Sequence, residues 1–197
     1  MLKKDVTLYF VRHGETDWNK AQRYQGQRDI PLNATGQVQA ADNGRRLREA
    51  LGANAHALDY VSSPLLRTRE TMEIVREAMG LPRQPYRQDP RLAEISYGNW
   101  EGQLWSELPM TDPEGFAARQ ADFWGWQPRG GESYAMLSDR IAGWLEGVDQ
   151  TAVVVAHGGV MRVLRGLVEG LAPEAIQALP VPQDKVLILK GDSADWL

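Results

Sequence analysis

Two short runs constrain this chain more than anything else in it. Residues 6–11 and 152–156 are strand-length, crowded with β-branched side chains, and each is followed almost at once by a histidine, His13 and His157. Runs of this kind, apolar on both faces, read as buried strands of a parallel sheet. Helical stripes lie between and after them: Ala40, Gly44, Leu47, Leu51; Tyr134, Leu137, Ile141, Trp144, Leu145; and Val160, Val163, Leu164, Leu167, Val168. A third strand is expected over residues 58–61, ended by Ser62-Ser63-Pro64, with a helix from there to about Met79. A last strand is expected over residues 186–190. Strands alternating with helices give an α/β fold: a mostly parallel central sheet with helices on both faces.

A chain of 197 residues favours one domain over residues 1–197. Residues 98–131 differ in kind, holding four of the seven tryptophans (Trp100, Trp105, Trp124, Trp126) with Pro109, Pro113 and Pro128. They read as an insertion bordering a pocket. The absence of cysteine removes disulfides, thiolate nucleophiles and Cys-based metal sites together. A net charge of −4 with no basic stripe excludes a nucleic-acid coat. The first apolar run stops at Arg12 after six residues, too short for a signal peptide core or a membrane span. The expectation is a soluble cytoplasmic protein with no membrane partner.

Chemistry concentrates where the strands end. Ligands of parallel sheets bind beyond the carboxyl ends of the strands, so His13 and His157 belong to one region. Gly14 follows the first histidine, and Gly158-Gly159 follow the second and open a helix whose free N–H groups suit an anion. Arg12, an obligate cation at the inner end of a buried strand, needs a negative partner. Arg67 sits in the first turn of a helix, where a cation opposes the dipole unless an anion is bound nearby. Taken alone, Arg67 reads better as a surface ion pair with Glu70 or Glu73, and each histidine as a satisfied core or loop residue, as His56 is read; it is the repeated context that changes this for His13 and His157.

These residues lie in an ordered set of blocks. Residues 8–19 read LYFVRHGETDWN, residues 24–32 YQGQRDIPL with Gly36 beyond, residues 62–71 SSPLLRTRET, residues 92–102 LAEISYGNWEG, residues 130–133 GGES and residues 156–159 AHGG. In content and order they resemble the histidine phosphatase superfamily, the phosphoglycerate-mutase-like branch. The resemblance implies that His13 is a nucleophile forming a phosphohistidine, and that Arg12, Arg67 and His157, with Asn19, Gln25, Gly26 and Gly158, bind the phosphoryl group. It further implies that Glu94 protonates the leaving alcohol and that no metal or other cofactor is required. A neutral imidazole attacks without a separate base, which suits the residue type to that role. Glu15, Glu101 and Glu132 are competing carboxylates: Glu15 is expected to bond within the first loop and Glu132 to start a helix beside Ser133.

Within that family the chain looks more like the small-molecule phosphatases of the α-ribazole-phosphate and broad-specificity type than like the mutases. Residues 98–131 carry only Arg119 and Arg129 as cations, so a doubly anionic substrate is poorly served there. A partly apolar leaving group stacked on a tryptophan or Phe123 is one reading of that segment, and a small core of its own is the other. The expected partner is therefore a small phosphomonoester. Phosphoglycerate-mutase-type transfer and a non-catalytic phosphate-binding sensor are the alternatives. Trp196, at the end of the chain, packs on the domain or serves a homodimer.

Overall fold

The computed structural model describes residues 2–197. In chain order its strands and helices are β1 (Thr7–Arg12), α1 (Asp17–Lys20), α2 (Ala34–Leu51), β2 (Asp59–Ser62), α3 (Leu66–Ala78), β3 (Arg87–Gln88), α4 (Leu108–Thr111), α5 (Pro113–Ala121), α6 (Tyr134–Glu146), β4 (Ala152–Ala156), α7 (Gly158–Glu169), α8 (Pro173–Ala178), β5 (Val186–Lys190) and β6 (Ser193–Trp196). One six-stranded sheet runs in the order β3-β2-β4-β1-β5-β6. The β3–β2, β2–β4 and β4–β1 pairs are parallel, and the β1–β5 and β5–β6 pairs antiparallel.

The two apolar runs form the sheet's centre because they have two apolar faces to bury. Side chains alternate across a strand. Leu8 and Phe10 of β1 and Val154 and Ala156 of β4 therefore join one core with Leu137 and Ile141 of α6 and Val160, Val163 and Leu164 of α7. Val11 of β1 and Val153 and Val155 of β4 face the other way, onto Leu47 of α2 and Met72 and Val75 of α3. Helices thus cover both faces, as the alternation predicts.

Three details depart from the sequence reading. β1 and β2 each start and end one residue later than expected. Val186–Lys190 is not the last strand: Gly191, at φ 61°, turns the chain back so that β6 pairs with β5, with Lys190 opposite Ser193. The two-residue β3 extends the opposite edge. Residues 98–131 fold as short helices around a third cluster, in which Trp100 packs with Tyr24 and Leu108. No helix of the described residues is long and apolar enough to cross a membrane.

Candidate active site

Strand register brings the histidines together. Arg12 lies opposite Ala156 across the β1–β4 pair, and His13 donates its backbone N–H to the Ala156 carbonyl at 3.0 Å. Both histidines therefore leave adjacent strands at one level, with ring centroids 5.2 Å apart and both rings buried. Ser63 arrives beside them because β2 also pairs with β4, and its N–H is held by the Val155 carbonyl at 3.0 Å.

The hydrogen bonds of His13 decide its chemistry. Nδ1 lies 2.8 Å from the Gly14 carbonyl, which can only accept, so Nδ1 carries the ring proton and Nε2 presents a lone pair. Arg67 donates to that lone pair through Nε at 3.2 Å. Its other nitrogens are fixed by the Arg28 carbonyl at 2.7 Å and the Gly26 carbonyl at 2.8 Å. The ion pair expected as the alternative for Arg67 does not form: Glu70 accepts the Leu32 N–H at 2.7 Å, and Glu73 the Gln84 amide at 2.9 Å. Gly26 takes φ 51°, and a Cβ there would collide with the Glu101 carboxylate, so this loop requires glycine. Arg12 reaches the Val181 carbonyl at 2.6 Å, while its buried Nε has no partner among the described residues.

Burial, reinforced by Arg67 and Arg12, holds the His13 imidazole well below its ordinary pKa. His157 is depressed in the same way, by burial first and then by Arg67, His13 and Arg12. Burial also pushes the Arg67 guanidinium down to about 10, opposed by the charge of Glu94, and lowers Arg12. The site therefore holds two neutral imidazoles beside two cations. That arrangement leaves positive charge for a ligand to neutralise.

A cavity of about 140 Å³ opens over these groups. Arg12, His13, Asn19, Gln25, Gly26, Arg67, Glu94 and Gly158 all line it, and His157 lies buried behind that lining. Asn19 and Gln25 gather around Thr16, whose hydroxyl accepts the Asn19 N–H at 3.1 Å and has one proton to give to Gln25 Oε1 at 3.0 Å or Asn19 Oδ1 at 3.1 Å. Glu94 is held at the start of α7, accepting the Gly159 N–H at 3.1 and 3.2 Å and the Ile95 N–H at 3.0 Å. Thus one free N–H of that helix goes to a carboxylate of the chain itself.

The competing carboxylates stand elsewhere. Glu15 accepts from Asn33 at 2.9 Å rather than within its own loop, and Glu101 pairs with Arg28 at 3.2 Å. Glu132 does not start a helix. It pairs with Arg140 at 2.8 Å and accepts the Ser96 N–H at 3.0 Å, while Ser133 caps α6. Among the described residues no group of His, Cys, Asp and Glu side chains is arranged to hold a metal ion.

Of the tryptophans in 98–131, Trp105 alone lines this cavity. Phe123 and Trp124 pack on Tyr134, and Trp100 is buried with its Nε1 on Asp112 at 2.7 Å. The cation count within that segment is incomplete for the pocket, because Arg23 and Arg162, from outside it, also line the cavity. Sequence reasoning missed two further groups. Gln183 donates to the His13 carbonyl at 3.0 Å and to Asn19 Oδ1 at 3.2 Å, and Ser63 Oγ lies 2.7 Å from His157 Nε2. The sequence of 180–184, Pro-Val-Pro-Gln-Asp, carries no chemical signal, and the Ser62-Ser63 pair marks only a strand end. A larger cleft of about 530 Å³, lined by Tyr60, Tyr86 and Arg76, lies apart from both histidines.

The chain is similar to known proteins over most of its length. Residues 8–197 match the description "Histidine phosphatase superfamily (branch 1)". A Bacillus subtilis (strain 168) protein, "Uncharacterized phosphatase PhoE", is 34% identical over 175 residues, 86% of this chain and 80% of that one. "Phosphoserine phosphatase 1" of Hydrogenobacter thermophilus is 37% identical over 81% of this chain and 74% of its own. "Probable phosphoglycerate mutase GpmB" of Salmonella paratyphi C is 34% identical over 98% and 88%. The crystal structure of the α-ribazole phosphatase from Shigella flexneri superposes with a TM-score of 0.81 at 26% identity, covering 96% of this chain and 93% of that one. Strand-end histidines, buried arginines and this likeness across nearly the whole sequence lead to one conclusion: the chain belongs to the histidine phosphatase superfamily, branch 1.

Proposed function

We propose that the chain is a metal-independent phosphomonoester hydrolase acting on a small phosphorylated metabolite through a phosphohistidine. The observation that carries this reading is the unprotonated Nε2 of His13, buried in a cavity shared with Arg12, Arg67 and the Glu94 carboxylate. In the first step Nε2 attacks phosphorus, the P–O ester bond breaks, and protonated Glu94 gives its proton to the departing alkoxide. In the second, water attacks the phosphohistidine, the N–P bond breaks, and Glu94 takes the water's proton. Arg12, Arg67 and His157 hold the non-bridging oxygens, work that Mg²⁺ does in other phosphoryl-transfer sites.

Before attack, the phosphoryl oxygens must draw the Arg67 Nε–H away from His13, since one lone pair cannot both accept that bond and form the N–P bond. Trp105, with Tyr24 and Tyr97, borders the room left for the alcohol, and Arg23 and Arg162 let that alcohol carry a charge. We read the chain as one histidine-phosphatase-like domain with 98–131 as its insertion, working in the cytoplasm, a setting its cysteine-free sequence suits.

The test is hydrolysis of p-nitrophenyl phosphate in EDTA. The expected outcome is release of nitrophenolate, abolished in His13→Ala. A protein that binds inorganic phosphate but cleaves no ester would instead be a sensor. Feeding 3-phosphoglycerate separates hydrolase from mutase, since a hydrolase yields free phosphate and not the 2-isomer.

A further inference from the structure

We propose that Ser63 fixes the ring proton of His157 on Nδ1, making that histidine a hydrogen-bond donor to the bound phosphoryl group. The proposal rests on the phosphatase reading for its purpose, but not for its evidence. Ser63 is fully buried between β2 and α3, and the Val155 carbonyl holds its backbone. Its Oγ has two neighbours among the described residues: the Leu65 N–H, which donates to it at 3.4 Å, and His157 Nε2 at 2.7 Å. The hydroxyl proton therefore has one acceptor in reach, the Nε2 lone pair.

The opposite assignment fails on counting. With the proton on Nε2, the Ser63 hydroxyl would be a buried donor with no acceptor among the described residues, a costly loss. Nδ1, which has no partner among the described residues, would then have only a lone pair to offer an oxyanion. With the proton on Nδ1, Leu65 donates to Oγ and Oγ donates to Nε2. The unspent group is then the buried Nδ1–H, and Nδ1 has no partner among the described residues. An oxyanion is the acceptor it lacks.

The same neutral tautomer thus serves opposite ends in the two rings. His13 keeps its Nδ1 proton on the Gly14 carbonyl and offers a lone pair, whereas His157 has its lone pair occupied by Ser63 and offers an N–H. Ser63 touches neither substrate nor reacting atoms; it is a positioning residue acting through His157.

The experiment is long-range ¹H–¹⁵N NMR of histidine-labelled protein at pH 7, with the His157 ring assigned by comparison with His157→Gln. The expected wild-type spectrum has a protonated Nδ1 and a bare Nε2. Ser63→Ala should move the population to the Nε2–H form or a mixture and weaken inorganic phosphate binding about tenfold, and Ser63→Thr should restore both. A wild-type ring protonated on Nε2, or a Ser63→Ala ring unchanged from wild type, overturns the proposal. Should Ser63→Ala not fold, the wild-type ring decides alone. Because the spectrum is recorded without an ester, failure to hydrolyse any substrate would count against the phosphatase reading and leave this result standing.

Discussion

At the scale of single residues, what His13 can do depends on which nitrogen keeps its proton, and the Gly14 carbonyl answers that before any ligand arrives. Glu94 is placed just as locally. A Cβ on Gly159 would lie 2.5 Å from Glu94 Oε1, so Gly159→Ala should push the carboxylate off its seat while leaving the imidazoles in place. Single-turnover release of an alkyl alcohol, which must leave with a proton, should then slow by about 100-fold. Release of p-nitrophenolate, which needs no proton, should slow by less than about tenfold. Equal slowing of both would remove Glu94 from the role of acid. The residues at strand ends were readable because a histidine or arginine terminating an apolar run is conspicuous. Ser63 and Gln183 were not, since a small polar loop residue acquires its partner only when a distant strand brings one, as β4 brings His157.

At the scale of elements, residues 98–131 show why composition misleads. Trp100 and Trp105 are five positions apart and identical in type, yet one is fully buried and the other 54% exposed at the cavity mouth. Trp100→Ala should therefore cost about 3–5 kcal/mol of stability in urea unfolding. Trp105→Ala should stay within about 0.5 kcal/mol of wild type and raise KM for an aryl phosphate more than for a small alkyl phosphate. A Trp105→Ala protein with unchanged KM for both esters would place the leaving group elsewhere. The buried strands and the amphipathic helices were legible, their periods being those of burial. β3 is too short to show a period, and β6, Ser-Ala-Asp-Trp, alternates exposed and half-buried positions over only four residues, too few to stand out in the sequence.

At the scale of the whole molecule, the two buried imidazoles couple folding to pH. Both are held below the ordinary value in the folded state, so below about pH 6.5 the unfolded chain binds protons the folded chain refuses. Stability should fall as pH drops through that range, with a slope approaching about 2.7 kcal/mol per unit for two groups. Urea midpoints at pH 7 and pH 5.5, above the range where most carboxylates titrate, would measure it. Inorganic phosphate should flatten the slope, since a bound anion lets the rings accept protons. A midpoint indifferent to pH across this window would mean the rings are wetter than their burial indicates.

The first turn of α7 has a last consequence. Gly159 grips the Glu94 carboxylate and His157 immediately precedes that helix, so the groups we propose as proton donor and oxyanion holder meet at one helix end. The Glu94 side chain, although it comes from a separate segment, is thereby tethered to the same helix end that His157 leads into, so a shift of α7 pulls on both, reaching Glu94 through one hydrogen-bonded contact.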